Sequence, residues 1–140
     1  MSTSPLSIQS EVIALKSGAT AVCLRCVGIY RVGSSGKPEA RAIYETACSS
    51  LEQSSADALL LDYTELHYEW GDDMWLTFQV DHPSNDQELP FAVLVGEGCK
   101  DAIRSLLESD GGYDDWLHSG YVFFSKSIAL AYLSDETRDA

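Results

Sequence analysis

The sequence predicts one α/β domain: a mixed sheet of about five strands with helices mainly on one face. Three observations carry that reading. Ala58-Leu59-Leu60-Leu61 and Phe91 to Val95 are short, unbroken apolar runs, the pattern of strands buried on both faces in a parallel sheet. Other segments repeat apolar residues at steps of three and four, the period of amphipathic helices. Near the start, two strand-like stretches are separated only by Ser17-Gly18-Ala19, which allows nothing but an antiparallel hairpin.

Each element follows from its residues. Ser7 to Leu15 mixes Ile8, Val12, Ile13 and Leu15 with polar neighbours, as an edge strand does, and Thr20 to Val32 is a long second strand. Gly33 to Lys37 is a loop, and Pro38 then stands at the favoured first position of a helix. Ala40, Ile43, Tyr44, Ala47, Cys48 and Leu51 form one face of that helix, which should end near Gln53-Ser54-Ser55.

Strand three is Ala58 to Tyr63. The stretch after Gly71 reads two ways. Met74, Leu76, Phe78 and Val80 alternate like a strand, yet Met74, Trp75 and Phe78 share one side of a short helix that Asp72 can cap. The helix is preferred, because a parallel strand needs a crossover before the next one. His82 to Glu88 is an exposed loop, and Phe91 to Val95 is strand four. Gly96-Glu97-Gly98 turns the chain into a helix with Cys99, Ile103, Leu106 and Leu107 inside. An acidic loop from Asp110 to Asp115 precedes a last strand, Tyr121 to Phe124. Ser125 caps a final helix carrying Ile128, Leu130, Ala131 and Leu133, and the tail from Ser134 to Ala140 is expected to fray. Residues 1–140 form a single domain with its core between residues 8 and 133.

Composition excludes several functions. The chain carries 22 acidic against 9 basic residues, a formal charge of −13, which repels phosphate backbones and argues against nucleic-acid binding. No stretch approaches the roughly 18 to 20 apolar residues of a membrane helix, and Met1 to Ser10 lacks the features of a signal peptide, so the expected location is the cytoplasm. Cys23 and Cys26 have CxxC spacing, but on a strand residues three apart point to opposite faces and cannot share a metal. Reduced thiols, mostly buried, are the reading for all four cysteines.

The segment Leu61-Asp62-Tyr63-Thr64-Glu65-Leu66-His67-Tyr68-Glu69-Trp70-Gly71-Asp72-Asp73-Met74 resembles a STAS domain. That is the fold of anti-sigma factor antagonists and of the cytoplasmic tails of sulfate transporters. The order of elements over residues 8 to 133 is similar too. In the antagonists a strand ends in aspartate, and after a few residues comes Asp-Ser-Ser/Thr-Gly and a helix; a partner kinase phosphorylates the second hydroxyl. Matched residue by residue, Asp62 takes the strand-end aspartate, Trp70 the motif's aspartate and Gly71 its first serine. Asp72 falls on the phosphorylated position and Asp73 on the glycine. The resemblance therefore implies a regulatory module without that phosphorylation switch. Asp72 supplies one permanent charge at a helix amino terminus, where a phosphate would supply about twice as much. Its plainer role is a helix cap.

Glu69, Trp70, Gly71, Asp72, Asp73 and Trp75 are the candidate partner-binding residues, because tryptophan beside acidic groups marks many protein contacts. Packing of Trp70 beneath the helix is the competing role. Gly96, Glu97 and Gly98 outline a second candidate, a ligand loop, although Glu97 would repel phosphate and no nucleotide fingerprint is present. Cys99 at the helix start is either a reactive thiol or a buried one. Glu69, Asp72 and Asp73 as metal ligands, the basis of a small hydrolase, and the histidines as catalytic groups lack any supporting pattern. The expected function is a non-enzymatic interaction module with no cofactor and no metal. Its partner is another protein, a homodimer is allowed, and nucleic acid and membrane insertion are not expected. The alternative is a small-ligand or nucleotide-binding domain using the loops at Gly71 and Gly96.

Overall fold

The computed structural model describes residues 6–31, 33–70, 74–80, 89–110, 115 and 120–137. Strand β1 (Leu6–Ala14) returns through a tight turn as β2 (Thr20–Ile29), the two antiparallel. A 3-10 turn at Ser34–Gly36 leads into helix α1 (Lys37–Ser54) with Pro38 in its first turn. Its carboxyl end closes at Ser55, left-handed at φ 55°, whose N–H donates to Leu51 O at 2.9 Å. Then follow β3 (Ala58–His67), β4 (Phe91–Val95), helix α2 (Lys100–Ser105), β5 (Val122–Phe123) and helix α3 (Lys126–Thr137). The sheet order is β1-β2-β3-β4-β5, with every pair after the first parallel.

Strand β3 is central, and Leu59, Leu60 and Leu61 are fully buried, as an apolar run closed on both sides requires. One face of the sheet packs beneath α1 and α2, where Leu24, Leu59, Leu61, Val93 and Val95 meet Ile43, Leu51, Ile103 and Leu107. The other face carries α3 alone among the described residues, with Leu60, Ala92 and Leu94 against Ala129 and Leu133. Helices thus lie mainly on one face, as expected. Cys23 and Cys26 fall in these two different layers.

Several details differ from the sequence reading. Strand β2 stops at Ile29, and Val32 lies outside the described residues. Strand β3 continues four residues past Tyr63, because β2 still pairs with it; the register advances from Arg25↔Asp62 to Val27↔Glu65, so a bulge absorbs one extra β3 residue. The helical choice after Gly71 holds, but as a five-residue 3-10 helix, Met74–Phe78, in which Thr77 Oγ1 donates to Met74 O at 2.8 Å. Finally, α3 does not fray at Ser134. Ser17 N–H donates to Ser134 Oγ at 2.8 Å, and the Ser17 and Thr137 hydroxyls share a hydrogen bond at 2.7 Å, pinning the helix end to the first hairpin. Helix α2 ends in a π-helical turn at Leu106–Asp110, which keeps Leu107 inside.

Candidate functional site

The parallel strands β2, β3 and β4 all deliver their carboxyl ends to one edge, the usual binding edge of an α/β sheet. Backbone bonds tie the three ends together. Tyr30 N–H donates to His67 O at 2.9 Å, and Tyr68 N–H to Gly98 O at 3.0 Å. The Tyr30 and Tyr68 rings meet edge to face, 5.0 Å apart, closing the core beneath this edge.

Trp70 stands on that edge with 61% of its surface exposed. Gly33 N–H donates to Trp70 O at 3.3 Å, and a Cβ at Gly33 would come within 3.3 Å of the indole ring. The segment beneath the indole is held by Arg31, whose guanidinium grips both oxygens of the buried Glu39 carboxylate on α1 at 2.5 and 3.2 Å. Trp70 is therefore a surface residue and not packing under the next helix. Glu69 is exposed beside it and pairs with His67 at 3.5 Å. Gly71, Asp72 and Asp73 lie outside the described residues, as does the side chain of Trp75. The metal reading built on Glu69, Asp72 and Asp73 lies there too; among the described residues no three metal-ligating side chains converge.

The Gly96-Glu97-Gly98 turn has a steric explanation. A Cβ on Gly96 would lie 2.3 Å from Thr64 O, and one on Gly98 would lie 2.9 Å from Leu66 O. Both glycines let the turn press against the β3 backbone. Gly96 O accepts from the N–H groups of Cys99 and Lys100, while Glu97 extends outward and pairs with Lys100 at 3.3 Å. Between this turn and the end of β3 lies a cleft of about 330 Å³, lined by His67, Tyr68, Glu69, Glu97, Gly98 and Asp101 among others. Three carboxylates and a histidine make it a cleft for positively charged groups; a phosphate would meet repulsion. Asp101, in the first turn of α2, went unremarked in the sequence because only the approach of α2 to β3 brings it there.

Cys99 forms the floor of the same corner, but it is buried and its thiol donates to Tyr63 O at 3.3 Å. Burial pushes its pKa up to about 11, so the thiol stays protonated and the reactive-cysteine alternative falls. Burial likewise pushes Cys26 up to about 12.

Asp62 is not at a strand end. It lies mid-strand on the α3 side of the sheet, almost fully buried, and its Oδ1 accepts from Thr64 N–H at 3.1 Å and Thr64 Oγ1 at 2.6 Å. It lines a second, polar cleft of about 290 Å³ with Gln9, Glu11, Cys23, Arg25 and Lys126. The in-register row Gln9–Arg25–Asp62 crosses three strands, which no local pattern could reveal.

A mixed five-stranded sheet, opened by an antiparallel hairpin and continued by parallel crossovers, is a STAS-like fold. The comparisons agree on the fold. A solved anti-sigma factor antagonist from Mycobacterium paratuberculosis matches with a TM-score of 0.55 over 91% of this chain and 94% of its own, at 16% identity. At that identity the likeness is one of fold. No protein-family model and no curated protein sequence matches the chain.

Proposed function

We propose that this chain is a non-enzymatic regulatory module that works by binding another protein through its carboxyl edge, with Trp70 as the anchor and Glu69, Glu97 and Asp101 as the acidic flank. The observation that carries this is Trp70 itself, a large aromatic side chain left 61% exposed at the end of the central strand. Exposed tryptophans beside desolvating neighbours dominate binding energy at many interfaces. The acidic cleft next to it, on a chain of charge −13, selects a partner with a basic surface. The structural neighbour is an anti-sigma factor antagonist, and the same kind of work is proposed here, contact with a regulatory partner. Gly71, Asp72, Asp73 and Trp75 complete the surface in this reading. Asp72, in place of a hydroxyl, makes the contact constitutive. All four cysteines are free thiols, which supports a reducing, cytoplasmic setting.

The test is affinity capture from the source cell with wild type and Trp70→Ala side by side. A basic partner retained by wild type and lost by the variant, at unchanged melting temperature, is the expected result. Equal capture by both would move the contact off this edge. The cleft also favours a second reading, a small amine-bearing ligand between the turns at Gly71 and Gly96. A polyamine that raises the melting temperature of wild type but not of Glu97→Gln would support it.

A further inference from the structure

The two rims of the sheet are unequally protected. β5 is a two-residue strand, whereas β1 runs nine residues, Leu6–Ala14, and contains no proline, no lysine or arginine and no register break against β2. Among the described residues no strand pairs with its outer side. Natural edge strands are normally short, bulged or guarded by such residues, since an open edge invites another strand.

The direction of the open hydrogen-bonding groups can be derived. Leu15 N–H donates to Ala19 O at 2.9 Å, which makes this a hydrogen-bonded pair of the β1–β2 ladder. Antiparallel pairs alternate, so odd-numbered β1 residues face β2 and even-numbered ones face outward. The same alternation sends Thr20 C=O away from β1, where it accepts from Asp57 N–H at 2.9 Å. Ile8, Ser10 and Val12 therefore direct their N–H and C=O groups off the edge.

We infer that this edge pairs with the β1 edge of a second copy of the chain, antiparallel about a two-fold axis at Ser10, into one continuous sheet. Ser10 is the middle residue of β1, so this register uses the whole strand. It sets Val12, half exposed in the single chain, opposite Ile8 of the second copy on the α1 side. On the other side it sets Glu11 opposite Gln9 of the second copy, and this match of carboxylate to amide, made twice about the axis, is what selects a copy as the occupant. Gln9 Oε1 already accepts from Arg25 at 3.3 Å, leaving its amide N–H groups to donate to the incoming carboxylate; Arg25 itself is paired with Glu65. A register with the axis at Glu11 would pair the same backbone groups but set the two Glu11 side chains against each other. Above the seam, Ser50 Oγ meets Ser10 Oγ at 2.7 Å, and the α1 ridge through Ser50, with Thr46 and Ser54, bears no charge. On a chain this acidic, an uncharged ridge and a matched Glu11 are what two copies need in order to approach.

The experiment is sedimentation equilibrium of the full chain across the micromolar range, for wild type, Val12→Lys, Glu11→Lys and Trp70→Ala. Wild type is expected at twice the chain mass of 15.3 kDa. Val12→Lys guards the edge with a charge, and Glu11→Lys removes the carboxylate that meets the Gln9 amide of the second copy and puts a lysine on the edge. Each should weaken the dimer by about tenfold or more at unchanged circular dichroism. Trp70→Ala should leave it intact, which keeps this result separate from the partner contact. A wild-type chain of single mass throughout, or a dimer that neither lysine weakens, overturns the inference.

Discussion

The two faces of the sheet are built from the same strands, yet they are closed to different extents. On the α1–α2 face apolar cover runs from Leu59 at the amino end of β3 through Leu61 and Tyr63 to Leu66 at the carboxyl edge. On the α3 face it reaches Leu60 and then gives way to Asp62, beside Arg25 and Lys126 in the polar cleft. Alternation along a strand assigns successive residues to opposite faces, so the change from leucine to aspartate at every second position marks where the single helix α3 stops covering the sheet. One face is thus a continuous core. The other is a core for half its length and a charged surface for the rest.

Adjacent leucines make the sharpest comparison. Leu61 and Leu60 are both fully buried, one on each face. Leu61→Ala leaves a cavity under the α1–α2 layer, between Leu24 and Val93 of the flanking strands, and should cost about 4 kcal/mol. Leu60→Ala opens beneath one helix that can settle inward, and should cost about 2.5 kcal/mol. Urea denaturation of the two variants measures both, and equal losses would erase the distinction between the faces.

Alkaline titration probes how tightly the α1–α2 face is closed. Cys26 and Cys99 belong to the α1–α2 face, and burial raises their pKa values from 9.0 to about 12 and about 11. Above the unfolded value the unfolded chain releases these protons while the folded chain keeps them. Their contribution is therefore complete below about pH 9 and declines as pH rises towards the folded values, by about 1.4 kcal/mol per pH unit for each thiol. Cys26→Ala should flatten the fall in stability between pH 9 and 11, compared with wild type at the same temperature. If it leaves the slope unchanged, the core around Cys26 admits water.

How far these features were legible in the sequence follows from their range. Leu59 to Leu61 and Phe91 to Val95 announced buried strands because full burial leaves a continuous apolar run. The continuation of β3 through Thr64 and Glu65 was hidden, since exposed polar residues read as a turn until β2 is seen pairing with them. Trp70 follows β3 at the carboxyl edge, but its exposure was not readable, as tryptophan serves cores and surfaces alike. The glycines of the β4–α2 turn look the same in sequence whether they serve a ligand or a close backbone approach. The close approach accounts for Gly96, where a Cβ would lie 2.3 Å from Thr64 O, and it appears only in the structure. Both clefts combine residues from elements distant in the chain, so neither could appear before the register was known.

The end of α3 gives the smallest effect and the clearest test of how its face is held. Ser134 lies on the buried side of α3 next to Leu133, and Ser17 N–H in the first hairpin reaches it at 2.8 Å. Because α3 is the only helix on its side among the described residues, this bond and the Ser17–Thr137 hydroxyl pair join it to the hairpin, where α1 and α2 brace one another through a shared core. Ser134→Ala removes one acceptor and leaves the Ser17 N–H to find water, at a cost of about 1 kcal/mol. Hydrogen exchange should register it locally, with faster exchange over Leu133 to Thr137 and none over α1. Equal acceleration in α1 would mean that the two faces open as one unit, and that the difference between them is one of composition and not of stability.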